Sequence, residues 1–209
     1  MQVSAEIRWF WHEMPPPGLQ EWFCGANFHS FNAGGGVVRT DYYLRDKNQR
    51  ELGVKIRDQN PNVEVKGLVQ ADFCRLNTPP FIGPVELWTK WVSQALELAL
   101  DSTETVEKQR WIRKYIAAGT TVRELQLDMN EMLIGEQPRP EYGCNVELTK
   151  IYHNHVVWWT FGFEAFGKIN TLKRSIQSVA RELTGRKPPE LSGGLRESYP
   201  SWFNHISGD

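Results

Sequence analysis

The chain has no apolar run approaching the roughly 20 residues that cross a bilayer, and its first residues lack the basic and apolar sections of a secretory signal. A membrane is therefore not an expected partner, and the expectation is a soluble, cytoplasmic protein. It also has little net charge. At −1 over 209 residues, nothing draws the whole molecule toward nucleic acid or anionic lipid, so any electrostatic specialisation must be local. Cysteine is sparse: Cys24, Cys74 and Cys144 are odd in number, far apart and without a CxxC pair. That excludes a disulfide framework and a cysteine zinc site, and leaves three reduced thiols. A phosphate-cradling glycine loop is missing too. Gly34 to Gly36 precede an apolar-rich run near 37–45 instead of a helix, which reads as a turn entering a strand. The length suits one domain, 1–209, large enough to bury a substantial core.

What is present is alternation. In VSAEIRWFW (3–11), Val3, Ala5, Ile7, Trp9 and Trp11 would share one face of a strand, and Ser4, Glu6, Arg8 and Phe10 the other. ELGVKIRD (51–58) and NVEVKGLV (62–69) repeat the pattern on either side of a Gln-Asn-Pro turn, as a hairpin whose polar faces carry Lys55 and Arg57, then Glu64 and Lys66. VEKQRWIRKY (106–115) places Lys108 and Arg110 in phase. CNVELTKIYHNHVVWWTFGFEAFG (144–167) reads as a strand pair around a His-Asn-His tip, with Glu147 and Glu164 on its polar faces.

Helical periods appear between these strands. PVELWTKWVSQALELAL (84–100) repeats apolar residues at three and four, with Pro84 near the start, and predicts an amphipathic helix. NTLKRSIQSVARELTG predicts another, capped by Asn170 or Thr171, buried along Leu172, Ile176, Val179 and Leu183, and stopped by Gly185. TTVRELQLDMNEMLI (120–134) permits a short helix capped by Thr120 or Thr121, or a strand. MPPPGLQ (14–20) is a connector, and 186–204 a loop with an aromatic end that docks on the body.

Strands with one apolar and one charged face, and helices to cover the apolar faces, allow two architectures. In an open sheet the charges meet water. In a closed barrel they line a polar interior. Alternation alone fits both.

The order of these segments resembles the CYTH domain, or triphosphate tunnel metalloenzyme, superfamily, which includes thiamine triphosphatases, inorganic triphosphatases and class IV adenylate cyclases. SAEIR (4–8) is similar to its opening ExExK strand, with Glu6 and Arg8 matching the second Glu and the Lys. ELGVKIRD, VEVKG and VEKQR resemble its basic strands, and CNVELTKI with TFGFEAFG its closing acidic hairpin; RESYPSWF (196–203) resembles its Ser-Tyr tail. The resemblance implies an α+β fold, an antiparallel closed β-barrel with a polar interior and helices packed outside. It further implies metal-dependent hydrolysis of a triphosphate-containing small molecule: inorganic triphosphate, thiamine triphosphate or a nucleoside triphosphate. Arg8, Lys55, Arg57, Lys66, Lys108 and Arg110 would bind phosphate, and Glu6, Glu147 and Glu164 would be catalytic through a bound Mg or Mn. Such catalysis rests on positioning and electrostatics.

Two departures from the family pattern matter. Ser4 replaces the first Glu of the opening motif, and Glu164 stands where a Glu-x-Glu pair is usual, with Gly162 or Phe166 at the partner position. With the basic set better kept than the acidic one, the alternative is a degenerate tunnel that binds a triphosphate, nucleotide or polyphosphate without turnover. Bland readings are assigned elsewhere. His153 and His155 are solvated turn residues, the nine tryptophans and Tyr42 and Tyr43 are chiefly core, nucleic acid is not an expected partner, and Glu64 pairs with Lys66.

Overall fold

The alternation of the opening segment is realised in β1 (Gln2–His12), where Ala5, Ile7, Trp9 and Trp11 pack into one apolar cluster while Glu6 and Arg8 face the opposite way among charged residues. In the computed structural model of the chain, residues 1–25, 36–45, 50–58, 60–118, 121–135 and 139–206 are described. After β1 come α1 (Leu19–Cys24), β2 (Val37–Leu44), β3 (Leu52–Arg57), β4 (Asn60–Thr78) and β5 (Phe81–Ser93). Next are β6 (Thr103–Ala118), β7 (Thr121–Leu125), β8 (Gly143–His153) and β9 (Val156–Phe166), then α2 (Ile169–Thr184), β10 (Leu195–Arg196) and α3 (Tyr199–Ile206).

Eight strands run antiparallel in the order β1-β5-β4-β3-β2-β6-β8-β9, and β9 pairs back to β1 from Phe166↔Ser4 to Trp158↔His12, closing a barrel. β7 extends β6, and β10 pairs with β1 beyond the end of β5. Closure decides between the two architectures. Glu6, Arg8, Lys55, Lys108 and Glu147 all lie on inward phases, and register brings those phases onto one lumen.

The outward face is the main core. Leu172, Ile176, Val179, Ala180 and Leu183 of α2 pack with Val146, Leu148, Phe161, Phe163 and Ala165, and α1 adds Leu19 and Phe23. Each fully buried Leu, Ile, Val or Phe among them contributes roughly 1.5–3 kcal/mol. A second cluster closes one end of the lumen. There Trp202 of α3, fully buried, stacks on Phe10 with ring centroids 5.2 Å apart and packs with Tyr43, Val106 and Ile151. Gly53 leaves room for α3, since a Cβ there would lie 3.2 Å from Pro200.

Several expectations need correction. Residues 84–100 are not a helix: they form most of β5, followed by irregular chain to a 3-10 turn at Leu100–Ser102. The spacing of Leu87 and Trp91 also fits a strand, and Val85, Trp88, Thr89, Trp91 and Val92 have β preferences that pairing with both β1 and β4 satisfies. Residues 120–134 resolve to strand at Thr121–Leu125, followed by a tight turn; Thr120, Gln59, Gly34 and Gly35 lie outside the described residues. The connector ends sooner than expected, because α1 starts at Leu19 after Gly18 turns the chain at φ 77°. The α2 cap is Lys168, not Asn170 or Thr171, while Gly185 is the stop. The tail is not all loop: Leu195–Arg196 pairs with β1, and its aromatic end is α3. No helix among the described residues is long and apolar enough to cross a membrane.

Candidate functional site

The inward phase of β2, β3 and β6 brings three cations to one carboxylate. Asp41, fully buried, accepts from Lys55 Nζ at 2.7 Å and Lys108 Nζ at 3.1 Å, and Arg39 Nε lies 3.1 Å away. Burial works against its charge, yet Lys108, Lys55 and Arg39 hold its carboxyl well below the usual carboxylate range. Burial, only partly offset by Asp41, pushes the Lys55 amine down to about 8 and takes Lys108 well below its ordinary value. One anion shared by three cations leaves this wall short of negative charge. Aromatic faces supply part of the deficit: Lys108 Nζ lies 3.8 Å from the Tyr199 ring centroid and 4.8 Å from that of Tyr43. Alongside, Arg57 pairs with Glu64 at 3.1 Å, with Lys55 at 3.9 Å from the same carboxylate.

A second group centres on Glu147. Arg8 Nη2 donates to Glu147 Oε2 at 2.8 Å, and Arg110 Nη1 to Oε1 at 3.3 Å. Burial raises the Glu147 pKa, but Arg8 and Arg110 outweigh it and hold the group below the ordinary range. Arg110 also grips Glu131, from the turn after β7, through Nε at 2.9 Å and through Nη2.

The third feature is a row of oxygen donors. Glu86 of β5 is directly opposite Glu6 of β1, Glu6 opposite Glu164 of β9, and Glu164 opposite Asn145 of β8. Directly opposed residues have Cβ atoms about 4.5–5.5 Å apart, so like charges there repel. Glu6 is relieved by Lys66 and by the Ser4 hydroxyl. Glu86 accepts from Trp88 Nε1 at 2.8 Å. No hydrogen bond or ion pair joins the Glu164 carboxylate to a described residue, and its pKa is raised by burial and then by Glu6. Asn145 Oδ1 is buried without a hydrogen-bond partner.

All nine residues singled out from sequence lie on the inner face, but they form three groups: Lys55, Arg57 and Lys108; Arg8, Arg110 and Glu147; Glu6, Lys66 and Glu164. The pairing of Glu64 with Lys66 is not found. Glu64 meets Arg57, and Lys66 meets Glu6. His153 is not solvated: it is buried, with Nδ1 3.0 Å from the Thr105 carbonyl and Nε2 3.1 Å from Glu104. Sequence reading missed Arg39, Asp41, Glu86 and Glu131, and took Tyr199 only as part of the Ser-Tyr tail. Arg39 and Asp41 share the phase of Tyr43, which was available as a signal, whereas the helical reading of 84–100 concealed Glu86.

A divalent cation, as the resemblance implies, finds a partial fit. Among the described residues no three His, Cys, Asp or Glu side chains are grouped as metal ligands, and Glu147 is committed to two guanidinium groups. The unpartnered Glu164, its neighbour Glu6 and the orphaned Asn145 oxygen are nonetheless hard oxygen donors on adjacent strands, and magnesium commonly takes only one or two carboxylates beside water. No family model matches the chain, and no curated protein matches it in sequence.

Proposed function

We propose that the barrel interior binds a triphosphate-containing small molecule and hydrolyses it with the help of a divalent cation. The observation that carries the binding half is Asp41, a single buried carboxylate shared by Arg39, Lys55 and Lys108, which leaves a cationic wall that a polyanion completes. Arg8, Arg57, Lys66 and Arg110 add donors from other walls. A chain of phosphates has anionic oxygens on every side and suits a closed lumen better than a flat surface. The resemblance to the CYTH superfamily supports the same reading.

Glu164 and Glu6, with Asn145 Oδ1, would hold the cation. Bound there, it would neutralise phosphoryl charge and position water. The chain's own residues bind and orient: guanidinium groups fix phosphate oxygens by paired hydrogen bonds, and the apolar end made by Phe10 and Trp202 restricts solvent entry from that side.

A second reading, binding without turnover, is favoured by Glu147, whose capture by Arg8 and Arg110 removes one carboxylate from the expected metal set. One experiment separates the two. The purified protein is screened for phosphate release from inorganic triphosphate, thiamine triphosphate and nucleoside triphosphates, each with magnesium and with manganese. Turnover abolished by a chelator establishes the enzyme; ligand binding without release establishes the binding module. The absence of both turnover and thermal stabilisation at millimolar triphosphate and low salt rejects both readings.

A further inference from the structure

The turn after β7 carries a carboxylate that does not belong to the barrel wall. Leu127 and Leu133 bridge its stem, Ile134 N donates to Gln126 O, and Asp128 N donates to Met132 O at 2.8 Å. Asp128 Oδ1 accepts from Asn130 N at 2.8 Å and Met132 N at 2.9 Å, so the tip is shaped by its own hydrogen bonds. Glu131 sits at its end with φ 63°, a left-handed conformation uncommon for a residue with a Cβ. From there its carboxylate engages the Arg110 guanidinium at two nitrogens, in the fork-to-carboxylate geometry that also fits two phosphate oxygens. On either side Met129, Met132 and Ile134 are exposed, so the tip has little apolar anchorage of its own.

We infer that Glu131 is an internal competitor for the anion position on Arg110, and that a polyanion enters the barrel by exchanging with it and releasing the turn. This rests on the reading of the lumen as an anion site. The chemistry is simple exchange: a phosphate oxygen pair takes the two guanidinium hydrogens that Glu131 gives up, and Glu131 passes to water. A strained backbone conformation and a solvent-facing tip favour departure, while the pre-formed turn keeps the carboxylate close enough to return. The occupied form lowers apparent affinity by the fraction of molecules in which Arg110 is free.

The test uses the full chain with inorganic triphosphate as the probe, calorimetry for affinity and hydrogen exchange over 126–135 for the turn. Glu131→Gln should bind on the order of tenfold more tightly than the wild type. Glu131→Asp retains the charge but shortens the reach, and should approach the Gln variant. In the wild type, triphosphate should speed exchange across 126–135, the opposite of a lid closing over its ligand. Equal or weaker binding by Glu131→Gln, an Asp variant that behaves as wild type while Gln tightens, or ligand-induced protection of 126–135 would each overturn the inference. If the wild type binds no triphosphate, the proposed function fails, and the variants still decide this point. Binding gained by Glu131→Gln reveals a site hidden under Glu131, and none gained rejects the competitor.

Discussion

Arg8 on β1 and Glu147 on β8 meet at 2.8 Å although a whole strand, β9, lies between them. The residue of β9 in register with both is Gly162. With no side chain there, the Arg8 side chain crosses the intervening strand and reaches the second one. A Cβ on Gly162 would stand 2.9 Å from Ile7 O and 3.2 Å from Arg8 Cβ and Cγ. The Arg8–Glu147 clamp across β9 therefore depends on a residue without a side chain at position 162.

Gly162→Ala should therefore destabilise the fold by about 1–3 kcal/mol, the usual range for overpacking. One of these neighbours is a backbone oxygen, which cannot swing away as a side chain tip could. Equilibrium urea unfolding gives the measurement, with a lowered midpoint and an unchanged slope expected. An unchanged midpoint would mean that β1 and β9 yield at this point.

Asp41→Asn should be more damaging, on the order of 3–5 kcal/mol, because it leaves the buried Lys108 and the half-buried Arg39 and Lys55 without their shared anion. The pH dependence follows from the same carboxyl. Its folded pKa lies below the unfolded one, so its stabilisation is fully present above the ordinary aspartate range and is lost as pH falls through and below it. Thermal denaturation of wild type and variant from pH 7 down to pH 3 should show their difference shrinking. Added triphosphate should restore part of the variant's loss, since an external anion meets the same cations.

Much of the barrel was legible because alternation is a local signal. The strand faces of Glu6, Arg8, Lys55, Arg57, Lys66, Lys108, Arg110, Glu147 and Glu164 follow from a period of two, and that phase survives any mistake about where a strand begins. Partner choice is not local. Lys66 meets Glu6 across 60 residues of chain, set by how β1, β5 and β4 align, and nothing within VEVKG distinguishes that from pairing with its own Glu64. β5 was illegible for another reason. Its sequence satisfies both periods, and only the two neighbouring strands select the extended form. Glu86 vanished from view with it.

The carboxylate row should make acid and metal act in the same direction. Glu164 and Glu86 both have raised pKa values, each from burial and then from Glu6, so the folded state holds their protons longer than the unfolded chain. Stability from these two groups is highest below the ordinary glutamate range and falls as pH rises through it toward the folded values. Glu164→Gln should raise Tm at pH 7, with the gain fading by pH 4, and should remove any stabilisation of the wild type by magnesium. Scanning fluorimetry with and without 5–10 mM metal, a range on the order of that used for weak magnesium sites, reads both effects. A variant that still gains stability from magnesium would place the cation elsewhere.

Arg57→Ala and Glu164→Gln should have opposite consequences for binding, and the contrast tests the division of the lumen into cationic and oxygen-donor walls. Arg57 donates to Glu64 at 3.1 Å and its side chain remains partly accessible, so its guanidinium is available to a ligand at modest cost. Its removal deletes a paired hydrogen-bond donor and should weaken triphosphate binding roughly tenfold or more, with and without metal. Glu164→Gln keeps size and hydrogen-bonding capacity but deletes a negative charge with no cation bonded to it. Metal-free triphosphate binding should therefore be kept or slightly improved, because less charge repels the anion, while metal-dependent turnover is lost. Raising ionic strength should weaken binding in the wild type and less steeply in Arg57→Ala, since fewer cations then contribute to attraction. Equal loss of metal-free binding in both variants would show that the two residues act on one shared ligand contact, and full turnover by Glu164→Gln would remove this carboxylate from the chemistry.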